Sequence, residues 1–140
     1  MRALLPLMVA ASLLASGAQA QQAEAALLAR SLTGTELIIV DADAGRELAR
    51  GAILSPSIDT CRLSMMWTGG ADVSMNLGAV RLLQGDGAGS VNVREAGDGQ
   101  PDLIFVVGAD RYADTMSAFG DLGRICGARI VGPPTLQVGG

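Results

Sequence analysis

From Asp59 to Thr68 the chain alternates cleanly between apolar and polar positions. Cys61, Leu63, Met65 and Trp67 fall on one side, and Arg62, Ser64, Met66 and Thr68 on the other. This period of two is the mark of a strand with one buried face. After a turn at Thr68-Gly69-Gly70-Ala71-Asp72, Val73, Met75 and Leu77 carry the alternation on, opposed by Ser74, Asn76 and Gly78. Beyond Gly78 the apolar phase moves to Val80 and Leu82, which predicts a bulge near the glycine. Gly85-Asp86-Gly87-Ala88-Gly89 reads as the next turn. Val91 and Val93 then alternate with Ser90, Asn92 and Arg94, and Gly97 to Pro101 turns the chain again. Leu103 to Val107 is apolar on both faces, as expected of a central strand or one covered on both sides.

Nearer the N-terminus, Glu36–Asp41 and Arg46–Leu54 flank Asp43-Ala44-Gly45 and predict a hairpin, with a helical turn over Arg46–Arg50 as the alternative for its second arm. Ser55-Pro56-Ser57 predicts a break in the chain. Two helices are expected. Gln21–Ser31 has Ala23, Ala26, Leu27 and Arg30 at helical spacing and ends near Thr33-Gly34. In the second, Tyr112, Met116, Phe119, Gly123 and Cys126 recur three or four residues apart, a helical stripe. Asp110 is the expected N-cap, Asp114 and Arg124 suit the two ends of the dipole, and Gly127 suits the C-terminal cap. Gly120 and Gly123 inside this helix imply close packing on the sheet. The elements together predict an α+β fold: an antiparallel sheet of five to six strands, a meander, with an N-terminal and a C-terminal helix on one face.

The first twenty residues, MRALLPLMVAASLLASGAQA, combine a basic start at Arg2, an apolar run from Leu4 to Ala15 and a small-x-small site at Ala18-Gln19-Ala20. They read as a cleaved signal peptide, residues 1–20. The expected organisation is then a single globular domain over 21–129 and an irregular tail over 130–140, rich in proline and glycine. No later apolar run is long enough for a membrane span. All the basic residues are arginine, which suggests a GC-rich bacterial source and a periplasmic location. In that oxidising setting Cys61 and Cys126 are expected to form a disulfide. They lie too far apart for a CxxC site, and both occupy core-facing positions.

Charge and composition narrow the chemistry. The net charge is −4, with no basic run, so nucleic acid and anionic membranes are poor partners. With no histidine and no lysine in the chain, histidine bases, most zinc sites, Schiff bases and the P-loop lysine are excluded. A disulfide would remove the last thiol nucleophile. Asp41 and Asp43 sit on an exposed turn, and Asp110 and Asp114 are accounted for by the helix start. The run Asp41-Ala42-Asp43-Ala44-Gly45 fails the calcium-loop pattern, because the positions that should hold the later ligands and glycine are Gly45, Arg46 and Ala52. Gly85–Gly89 lacks the lysine and helix of a phosphate loop. Met65, Met66, Met75 and Met116 are expected mostly in the core and not on copper. No catalytic residue, metal or cofactor is therefore expected.

The remaining candidate is a surface. Arg62, Ser64, Met66, Asn76, Asn92 and Arg94 should share the polar face of the sheet and could bind another envelope protein or a small anionic ligand. The leading expectation is a non-catalytic exported interaction module. A small envelope hydrolase using carboxylates, or an assembly subunit joined along a strand edge, are the alternatives.

Overall fold

The computed structural model describes residues 19–131. A helix over 19–32, α1, is followed by β1 (Glu36–Asp41), β2 (Arg46–Asp59), β3 (Arg62–Trp67) and β4 (Val73–Asn76). A 3-10 turn at Leu77–Ala79 leads into β5 (Val80–Gly85), β6 (Ser90–Glu95), β7 (Asp102–Val106) and α2 (Ala109–Ile125). The fold is α+β, as the patterning predicts, with seven antiparallel strands where five to six are expected. Their order is β4-β3-β2-β1-β7-β6-β5. Two meanders, β1 to β4 and β5 to β7, thus meet along the β1–β7 seam. Among the described residues no helix is long and apolar enough to cross a membrane.

The extra length comes from β2, which does not break at Ser55-Pro56-Ser57. Its first half pairs with β1 as far as Ala52, and its second half pairs with β3 from Ile53 onward. Ile53 still pairs on that side, donating to the Thr35 carbonyl and accepting the Gly34 N–H; past it the edge toward β1 is open, and an open edge tolerates a proline without an N–H. The strand changes partner through a register shift between Ile53 and Ser55. The β3–β4 hairpin then lies across one face of the sheet formed by β2, β1, β7, β6 and β5. Val73 and Met75 meet Ile39 and Leu103 there, and the Asn76 N–H donates to the Glu95 carboxylate at 3.3 Å.

That inner face holds the core. Leu37, Phe105, Val91 and Val93 from the sheet pack with Leu63, Met65 and Met75 from the hairpin, with Leu28 and Leu32 of α1, and with Phe119 and Leu122 of α2. The Phe105 and Phe119 rings lie 5.2 Å apart. The bulge expected near Gly78 is met by the 3-10 turn and a register shift between Val80 and Leu82, but that shift buries Val80 and Leu83 and turns the expected Leu82 to the other face.

The second helix departs from expectation in two details. Its N-cap is Gly108, with φ 87°, and Asp110 lies in the first turn. The carbonyl of Gly89 accepts both the Val107 and Gly108 N–H groups, so the chain must swing sharply into the helix, a task suited to glycine. The buried residues are Thr115, Ala118, Phe119, Gly120, Leu122 and Gly123, so of the expected stripe Phe119 and Gly123 are buried while Tyr112, Met116 and Cys126 lie at the margin. The other end is as expected. Gly127, at φ 87°, donates to the Arg124 carbonyl and Ala128 to the Gly123 carbonyl, a Schellman cap.

Cys61 and Cys126 form a disulfide that ties the β2–β3 turn to the end of α2. Of the expected tail over 130–140, Ile130 packs on the core and Val131 makes a parallel bridge to Leu82. The rest of that tail, and the expected signal segment up to residue 18, lie outside the described residues.

Candidate functional site

The six polar-face residues separate into two groups. Arg62 and Ser64 on β3 and Asn76 on β4 stand together, with Arg62 directly opposite Asn76 in the ladder. With Ser57, Asp59, Thr60 and Cys61 they line an open depression of about 550 Å³. Arg62 Nη1 donates to Ser74 Oγ at 3.2 Å. Met66, also on β3, is 55% exposed. Asn92 and Arg94 are four strands away on β6, where Arg94 lies 3.4 Å from the Asp102 carboxylate. The alternation alone could not separate the groups, because both strands have the same phase and strand order is a tertiary property.

Asn92 and Arg94 belong instead to the outer face of the five-stranded half. Cross-strand register places Arg50, Ile38, Ile104, Asn92 and Gln84 in one row. Val40, Asp102, Arg94 and Leu82 lie on one side of that row, and Glu36, Val106 and Ser90 on the other. Ile38, Val40, Ile104 and Val106 make a contiguous stripe of β-branched side chains across the β1–β7 seam. All four are partly exposed, and none is packed into the core cluster. Leu48, at the register shift of β2, extends the stripe and is 54% exposed. The two-faced run at Leu103–Val107 is expected to be a central strand or one covered on both sides. β7 is central, between β1 and β6, and among the described residues the core packs on its inner face alone.

Charged groups rim the stripe in pairs. Arg50 binds Glu36 at 2.9 Å and Glu47 at 2.6 Å. The hydrogen bond from Arg50 holds the Glu47 carboxyl below its usual range, and the same bond raises Arg50. Arg94 and Asp102 pair on the far flank. At that end the β1–β2 and β6–β7 turns bound a groove of about 450 Å³, lined by Asp41, Asp43, Leu48, Arg94, Asp98 and Gln100 among others. Among the described residues two buried acceptors on this face, Asn92 Oδ1 and Asp102 Oδ1, have no hydrogen-bond donor. Arg94 approaches Asp102 Oδ1 without the alignment of a hydrogen bond.

The carboxylates best placed for chemistry serve their own turns. Asp41 Oδ1 accepts the Asp43 and Ala44 N–H groups at 3.0 and 3.2 Å. Asp86 Oδ1 accepts those of Ala88, Gly89 and Ser90 at 2.8, 2.9 and 3.0 Å. These three bonds, chiefly from Ser90, pull the Asp86 pKa down to about 2. The glycine loop that resembles a phosphate cradle thus already holds an anion, its own aspartate. No group of three or more histidine, cysteine, aspartate or glutamate side chains among the described residues is arranged to hold a metal ion. Compared with protein-family models and with curated proteins, the chain matches none.

Proposed function

We propose that the chain is an exported, non-catalytic interaction module that docks protein through the outer face of β1 and β7. The observation that carries this reading is the partly exposed stripe of Ile38, Val40, Ile104 and Val106, on which no other described element packs. Apolar surface rimmed by polar groups is the usual form of a docking site. The leader-like start and the bridged cysteines support export. The absence of histidine and lysine, and the commitment of Asp41 and Asp86 to backbone N–H groups, weigh toward binding and against catalysis.

The test is affinity capture from envelope extract with three baits: the wild type, Leu48→Asp, and Met66→Asp on the separate β3 surface. Both replaced side chains are more than half exposed, so both variants should fold. Protein retained by the wild type should be lost with Leu48→Asp and kept with Met66→Asp. Equal capture by all three baits would remove the outer face from the account.

A second reading has a weaker basis. Arg62 has no carboxylate within ion-pair distance among the described residues and shares its depression with Ser57, Ser64 and Asn76. That donor set suits a small anion, although Asp59 in the same depression opposes one. Calorimetric titration with inorganic phosphate, wild type against Arg62→Ala, tests it: heat absent from both means that no anion site exists.

A further inference from the structure

We infer that the occupant of the outer face is the same face of a second copy, an inference that rests on the docking reading above. The edges of the sheet are poor places for such a pairing. β4 is four residues long, Val131 bridges Leu82 in the first half of β5, and the two open stretches of β2 carry Arg46, Glu47 and Arg50 in one half and Pro56 in the other. Short, covered or charged edges resist strand addition. An anionic lipid surface is also a poor match, since Arg50 and Arg94, the arginines of this face, are both already paired with carboxylates.

The face is complementary to itself. β7 is the middle strand of the five, so a two-fold axis along it sets Ile104 and Val106 against their own counterparts. The same operation lays Ile38 over Asn92 of the second copy and Leu48 over its Leu82. The Arg50 cluster meets the neutral amide of Gln84, beside Asn92. The two Asp102 carboxylates meet near the axis, flanked by the Arg94 of each copy, so acid and base alternate. Arg94 of the second copy then offers a donor to Asp102 Oδ1, and Arg50 lies near Asn92 Oδ1, the two acceptors left without donors in one copy. Sheets stacked face to face with nearly aligned strands are a common packing.

The area available is small. Five strands about 4.8 Å apart, with six residues at about 3.4 Å each, give a face of about 500 Å² per copy. The pair buries about 1,000 Å², the lower end for a specific interface, so the dimer is weak and concentration-dependent.

Sedimentation velocity of the purified exported chain, from about 1 µM to 1 mM, tests the pairing. The expected result is a monomer that becomes a dimer as the concentration rises through this range. Ile104→Lys should weaken it at least about tenfold, because two ammonium groups would meet at the axis. Leu48→Asp, an exposed change that spares the fold, should weaken it also, and Met66→Lys should not. A monomer throughout the range, or a dimer indifferent to both Ile104→Lys and Leu48→Asp, overturns the inference. A monomer whose capture of another protein still depends on Leu48 would leave the docking reading standing; a monomer that captures nothing would end both.

Discussion

Thr60 is the described non-glycine residue with positive φ, at 51°. It opens the two-residue turn between Asp59 and Arg62, the paired residues that close the β2–β3 hairpin. A β-branched side chain is strained in that region by about 1–2 kcal/mol. Thr60→Gly should therefore stabilise the protein by about 0.5–1 kcal/mol, less than the strain because glycine loosens the unfolded chain. Urea unfolding reads the difference, and an unchanged or lower midpoint would count against strain at Thr60. Gly85 shows the opposite constraint. A Cβ there would overlap the Tyr112 hydroxyl, which accepts the Gly87 N–H at 2.9 Å. Space, not φ, requires that glycine.

At the scale of elements, α2 and the β5–β6 loop each yield a test. Gly120 is buried in the helix, yet a Cβ there would lie 3.6 Å from Arg124 Nη1 and 3.8 Å from a Leu83 methyl, ordinary contact distances. The close packing expected from its sequence position is thus not enforced. Gly120→Ala should raise stability by about 1 kcal/mol through helix propensity, seen as a higher thermal midpoint. The loop depends on pH. Asp86 has a folded pKa of about 2 against an ordinary 3.8, so its contribution is complete above the ordinary value and is lost as pH falls through the folded one. The amide resonances of Ala88, Gly89 and Ser90 should hold steady from neutrality to about pH 3 and shift together as the pH falls through about 2. In Asp86→Ala that shared step should be absent, and its persistence would assign the titration elsewhere.

For the whole molecule the disulfide is the covalent constraint, joining residues 65 positions apart. Loop entropy predicts that the double variant Cys61→Ala/Cys126→Ala loses about 4 kcal/mol. The loss should appear in urea unfolding of oxidised wild type against variant, and a loss below about 1 kcal/mol would mean that the hairpin and α2 are held by packing alone. The bridge closes the inner layer, where α2, the β3–β4 hairpin and the sheet meet. It leaves the outer face untouched, so a folded double variant should keep whatever binding that face provides.

The sequence by itself determined the α+β class, the inward and outward phase of β3, β4 and β6, the final helix with its Gly127 cap, and the pairing of the two cysteines. These follow from local periodicity, from backbone preferences of single residues, and from a cysteine count with only one intramolecular pairing. Tertiary structure decided the rest. It carried β2 through Pro56, because an open edge asked nothing of the missing N–H. It set Arg62 and Arg94 four strands apart, because strand order depends on which edges meet. Among the described residues it also left Ile38, Val40, Ile104 and Val106 partly exposed on the outer face. A run apolar on both faces says that each side wants a cover; how many layers one chain can build decides whether it receives one.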